Sequence, residues 1–159
     1  MVKSPPCVTS ENQRSFQLVE DMIDEEFAQK YNVKRCQSAQ EAMNQADVIS
    51  LHVNLSDETR DLINQESISQ MKKGVVILNC ARGEIVKTSD MLNALNSGDV
   101  GGYGTDVLDV EPPPADHPLL TAPNTVITPH IGSRTYESVE RQATMAANNL
   151  ILALKGEKP

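Results

Sequence analysis

The chain has 159 residues, 39% of them apolar and 23% charged, with three Tyr, two Phe and no Trp, a balance that suits one domain around a core of Val, Ile, Leu, Ala and Met. Its 22 acidic residues against 14 basic ones give a formal charge of -8, which opposes binding to nucleic acid or an anionic membrane. Cys7, Cys36 and Cys80 are odd in number and form no CxxC pair, so neither a disulfide framework nor a metal site is expected, and a reducing cytoplasm fits best. Pro5 and Pro6 stand where a signal peptide needs its apolar run, and no window approaches a membrane span.

Residues 1–14 are polar and aperiodic and read as an unstructured leader. "SFQLV" (15–19) predicts a short strand, "DEEFAQKYN" (24–32) a helix and "VKRC" (33–36) another strand. Ser38 and Glu41 have capping-box spacing, which predicts a helix over about 39–45. "DVISLH" (47–52) predicts a buried strand, "QESISQMKK" (65–73) a helix stopped by Gly74, and "VVILN" (75–79) a second buried strand. "TSDMLNALNSG" repeats the device, with Thr88 or Ser89 as cap and Gly98 as stop. "VGGYGTDV" (100–107), a proline-rich loop (111–118) and "NTVIT" (124–128) precede a last helix over about 134–155. That helix places Val139, Ala143, Ala146, Leu150, Ala153 and Leu154 on one face and ends at Gly156.

Alternating strands and helices predict an α/β fold, a mostly parallel sheet covered on both faces, with ligands held at the carboxyl ends of the strands. Those ends read "LHVN", "NCARGEIV", "TDVLDVEP" and "TPHIGS". Arg82 alone is a solvated loop cation, though its planar fork suits a carboxylate. Glu111 alone is a loop acid, and beside a histidine it would favour imidazolium. His130 alone is more often structural than catalytic. With an acid and an arginine, it becomes a candidate acid/base, being the side chain that titrates nearest neutrality.

"ADVISLHV", "ILNCARGEIV", "GTDVLDVEPPPADHPLL" and "NTVITPHIGSRT" resemble successive signatures of the D-isomer-specific 2-hydroxyacid dehydrogenases, the family that includes phosphoglycerate dehydrogenase and hydroxypyruvate/glyoxylate reductase. The resemblance runs from about Glu20 to the C-terminus. It implies a truncated Rossmann-like doubly wound domain over 15–155, a tail over 156–159, and hydride transfer between NAD and C2 of a small 2-hydroxy or 2-keto acid. It further implies that Arg82 holds the substrate carboxylate, that His130 is proton donor and acceptor, and that Glu111 tunes His130. Asp106 would contact the nicotinamide carboxamide, with further cofactor contacts at His52, Val53, Cys80, Ala81 and Gly132. Pro129 and Gly132 would frame a turn that presents His130 to the crevice. The related formate dehydrogenases share "GGYG-DV" but carry glutamine where this sequence has Glu111.

The family's G-x-G-x-x-G turn, which holds the pyrophosphate, has no counterpart in this sequence, and "GGYG" at 101–104 is a decoy inside a strand. "SFQLVE" resembles the family's second strand, so Glu20 or Asp21 falls where an acid holds the adenosine ribose and disfavours NADP. Asn54 replaces the usual proline after "LHV". Without a first strand the sheet would be split, so residues 15–46 are expected to be poorly held against the half that starts at residue 47. Association into a homodimer is implied by the resemblance. A second reading is a non-catalytic truncated remnant, acting at most as a cofactor-domain or dimerisation module; an unrelated flavodoxin-like domain is a third.

Overall fold

The computed structural model describes residues 29–30, 36 and 38–158, in two compact units, Met1–Thr128 and Pro129–Pro159. In the first unit, the Ser38 hydroxyl opens helix α1 (Ala39–Gln45) by accepting the Glu41 backbone N–H at 3.1 Å, the serine's half of the capping box. Met43 and Ala46 are buried in the same core cluster as Ile49 and Leu51. The 39–46 end of the region expected to be poorly held is therefore anchored, because removing those side chains from water favours packing whatever strand is missing. Gln29 and Lys30 are helical; the rest of the 24–32 helix, the 15–19 strand, nearly all of the 33–36 strand and the 1–14 leader lie outside the described residues.

Strands β1 (Val48–Leu51), β2 (Val75–Asn79), β3 (Val100–Thr105) and β4 (Thr125–Ile127) form one parallel sheet in the order β1-β2-β3-β4. Helix α2 (Gln65–Ser69) joins β1 to β2, and α3 (Thr88–Ser97) joins β2 to β3. This is the α/β architecture expected from the alternation, and it is Rossmann-like, as the family resemblance implies. Between Val75 and Val76 the register with β3 slips: Val75 pairs with Val100 and Val76 with Gly102. Gly101 is the extra residue, a bulge that only glycine fills, since a Cβ there would stand 2.5 Å from the Gly74 carbonyl oxygen.

The register puts Ile49, Ile77 and Tyr103 in one row and Leu51, Asn79 and Thr105 in the next, and all six are buried. The intervening rows, Val48–Val76–Gly102 and Ser50–Leu78–Gly104–Val126, point the other way, and Val48, Leu78 and Val126 are exposed. β1 is thus half-buried rather than wholly buried, and among the described residues of the first unit the buried rows lie on one side of the sheet. Successive strand residues face opposite sides, so apolar content alone did not reveal which side is packed.

Two helix boundaries differ from expectation. α2 ends at Ser69 rather than Lys73, because Met71 turns into the core; Gly74, at φ +80°, then precedes β2 and donates its N–H to the Asp99 carbonyl at 2.8 Å. Neither Thr88 nor Ser89 caps α3: the cap is Lys87, which makes no capping side-chain hydrogen bond, while Ser89 bonds Asp90 at 3.1 Å. Gly98 closes α3 at φ +74°, as its position predicts.

In the second unit, Thr135 caps helix α4 (Tyr136–Leu154), and Gly156 follows at φ +74°. The stripe Val139–Leu154, which the sequence places on one face of the helix, is not buried: no residue of α4 is. Among the described residues no helix is long and apolar enough to cross a membrane.

Candidate active site

β2 ends in Asn79, a fully buried amide after four apolar residues. Its Nδ2 donates to the Arg82 carbonyl at 2.9 Å and toward the Tyr103 hydroxyl at 3.4 Å, and its Oδ1 accepts the Ala81 N–H at 3.0 Å. The Asn79 carbonyl accepts from the Thr105 hydroxyl at 3.0 Å and from the Asp106 N–H at 3.0 Å. A buried amide with every atom partnered fixes the turn Cys80–Ala81–Arg82 to the end of β3. Burial pushes the Tyr103 phenol above its ordinary 10.0, and hydrogen bonds from Thr105 and Asn79 oppose the shift. The Arg82 side chain is exposed and donates to the Ala81 carbonyl at 2.7 Å.

The turn after β3 is packed against the turn after β2. Gly83 lies so close to Leu108 that a Cβ would meet the Leu108 carbonyl carbon at 2.0 Å and the Asp109 nitrogen at 2.3 Å. No side chain fits, so the Arg82–Gly83 and Leu108–Asp109 backbones are in direct contact. Asp106 is buried and accepts from the Thr128 hydroxyl at 2.5 Å. Glu111 is exposed, and its Oε1 accepts the Leu108 N–H at 3.0 Å.

At the end of β1, His52 is exposed, and its Nε2 lies 2.8 Å from the Ser50 hydroxyl. His52, Val53, Asn54, Leu55, Cys80, Ala81 and Arg82 line a cleft of about 390 Å³ across the carboxyl ends of β1 and β2. Six of the residues singled out in the sequence, His52, Val53, Cys80, Ala81, Arg82 and, one strand along, Asp106, are thus carried by adjacent strand ends, where α/β sheets take ligands. The cleft has an open mouth, polar groups and the Arg82 cation, which suits part of a dinucleotide with a carboxylate beside it. The sequence offers no glycine turn for the pyrophosphate.

His130 and Gly132 belong to the second unit, just after Pro129. His130 is exposed and holds φ at +53°, a left-handed conformation that costs a non-glycine residue about 1 kcal/mol or more and collects at functional turns. Glu20 and Asp21 lie outside the described residues. The sequence reading missed the residues that hold the turns: Asn79, Thr105, Asp109, His117 and Thr128. The signal was available in two of them, a polar residue closing an apolar strand at Asn79 and another closing "VGGYGT" at Thr105.

Residues 17–132 match the family described as D-isomer specific 2-hydroxyacid dehydrogenase, NAD binding domain. The chain is 44% identical over 117 residues to a glyoxylate reductase of Thermofilum pendens, covering 74% of this chain and 34% of that one. It is 47% identical over 116 residues to a hydroxypyruvate reductase of Blautia hydrogenotrophica, covering 73% and 36%. The chain spans about a third of the length of the curated relatives it matches. Among solved structures, the NAD-complexed D-isomer specific 2-hydroxyacid dehydrogenase of Lactobacillus delbrueckii ssp. bulgaricus superposes with a TM-score of 0.78 at 28% identity, over 89% of this chain and 46% of that one. The chain belongs to the D-isomer-specific 2-hydroxyacid dehydrogenase family, within its NAD-binding domain.

Proposed function

We propose that this chain carries the cofactor-side part of an NAD-dependent dehydrogenase site, acting between a small 2-hydroxy acid and its 2-keto acid. Bound NAD would supply the hydride acceptor, or in its reduced form the donor, at C2. The observation that carries the reading is the position of Arg82 on the rim of the cleft across β1 and β2, on a turn fixed from beneath by Asn79.

Each residue then has a task. Arg82 grips the substrate carboxylate through its planar fork, which orients C2. His130 takes the hydroxyl proton as the alcohol is oxidised and returns it in the reverse direction. Glu111 favours the imidazolium that results. Asp106, at the end of β3, orients the carboxamide. His52, Val53, Cys80, Ala81 and Gly132 contribute cofactor contacts, and Glu20 or Asp21 holds the adenosine ribose and repels a 2′-phosphate. A cytoplasmic site of action and a homodimer complete the reading.

The test is unfolding of the purified chain with and without NADH, followed by turnover of glyoxylate and hydroxypyruvate. A ligand that binds only the native state, at a hundred times its Kd, stabilises by about 2.7 kcal/mol, so the midpoint should rise clearly. The expected turnover should fall at least about a hundredfold in Arg82→Gln. No shift with NADH would overturn the cofactor assignment. A shift with no turnover would favour the other reading, a cofactor-binding or dimerisation module without catalysis of its own.

A further inference from the structure

His117 is buried, its side chain only 4% exposed, in a loop otherwise open to water, and nothing in the reaction above uses it. Its Nδ1 accepts the Leu119 N–H at 3.3 Å, which leaves the ring proton on Nε2; Nε2 lies 2.8 Å from Asp109 Oδ1 and donates to it. Burial raises the Asp109 carboxyl, yet the bonds from His117 and Thr88 hold it below its ordinary 3.8 overall.

The place of this pair in the loop gives it a task. Asp109 directly follows Leu108, whose N–H holds Glu111 Oε1 at 3.0 Å, and it precedes Glu111 by two residues. Upstream, the Thr105 hydroxyl bonds both the carbonyl and the N–H of Val107, while Gly83 packs against the next peptide, which joins Leu108 to Asp109. The peptide that presents the Leu108 N–H is therefore held on its upstream side by Thr105. Downstream, the tie back to the body of the fold runs through Asp109 to His117, and from the His117 ring to the Leu119 amide.

We propose that His117 is a positioning residue for Glu111: through Asp109 it fixes the Leu108 peptide, and that peptide's N–H sets where the Glu111 carboxylate stands. The inference rests on the assignment of Glu111 to the reaction for its functional meaning, and on the hydrogen bonds alone for its structural content. His117 and Asp109 touch no reacting atom. Their effect reaches the chemistry only through the aim of one carboxylate.

Amide hydrogen exchange read by NMR on the intact chain tests it, in His117→Leu and His117→Gln. Loss of a hydrogen bond to a charged acceptor should speed exchange at Leu108 by about tenfold or more in His117→Leu, with Ile77 and Val100 unchanged. His117→Gln, which keeps a donor of similar reach, should restore most of that protection. Unchanged exchange at Leu108 in His117→Leu would overturn the proposal. So would equal acceleration at Leu108, Ile77 and Val100, which would make His117 an ordinary stabiliser of the fold. Turnover of Glu111→Gln is read separately: if it equals the parent while His117→Leu still frees the Leu108 amide, the positioning stands and the catalytic assignment of Glu111 falls.

Discussion

The two faces of the sheet are built from the same strands and have opposite environments. On one, Ile49, Ile77 and Tyr103 are sealed in the core; on the other, Val48, Leu78 and Val126 are 37%, 39% and 68% exposed. In "VVILN" neighbours of nearly the same chemistry stand on the two sides, Ile77 at 0% exposure and Leu78 at 39%. Stability is concentrated on the first face, and the second is a row of aliphatic side chains and glycines. Burial, not residue type, decides what each side chain contributes.

The largest effect that separates the faces is a matched truncation. Ile77→Ala empties a fully buried site and should cost about 2–5 kcal/mol, through lost transfer energy and the cavity left behind. Leu78→Ala, one residue along, should cost less than about 1 kcal/mol, since most of its loss is of surface already in water. Urea unfolding of both variants measures the contrast, and equal losses would mean the second face is packed in solution.

A smaller effect tests how the helices of the packed face are joined. Asp90, in the first turn of α3, accepts the Gln65 N–H at the start of α2 at 2.9 Å and pairs with Lys87 at 3.3 Å. The Gln65 bond is the chief cause holding its carboxyl below the ordinary 3.8; burial opposes it, and bonds from Lys87 and Ser89 add to it. A carboxyl depressed in the folded state stabilises fully above its unfolded pKa, and that contribution is lost as pH falls through the folded one. Asp90→Asn should therefore cost up to about 1 kcal/mol at neutral pH. The gap should close below about pH 4. Thermal midpoints of both proteins from pH 7 downward would show it; a gap that widened with acid would reverse the sign and refute the account.

Much of this was legible in the sequence where one local cause sufficed. β2 spans the five predicted residues, α1 the predicted seven, and Gly98 stops α3, because a run of aliphatic residues, a serine cap and a left-handed glycine each act within a few residues. The turn residues Arg82 and Asp106 were legible because an α/β sheet places its strand ends together. The end of α2 was not, since Met71 leaves the helix for a core that the local pattern does not describe. The pair Asp109–His117 was hidden for the same reason: eight residues separate its partners, and only the folded loop brings Nε2 within 2.8 Å of the carboxylate. Thr88 looked like a helix cap because its type fits one, and it is instead the first residue of α3, after Lys87.

The finest test of the open face uses Gly104, which lies between Leu78 and Val126. A Cβ there would stand 2.8 Å from Leu78 Cδ2, the far end of a flexible side chain with water beside it. If the face is open, Leu78 swings aside and the strand gains the lower chain entropy of alanine over glycine, so Gly104→Ala should change stability by no more than about 0.5 kcal/mol. With Leu78→Ala in place the contact is gone and the same substitution should become stabilising, a coupling of about 0.5 kcal/mol between adjacent sites. Were the face covered in solution, Leu78 would have nowhere to move and Gly104→Ala alone would cost about 1–3 kcal/mol, as overpacking does. Four proteins, unfolded in urea side by side, decide between an open row of aliphatic side chains and a second packed layer.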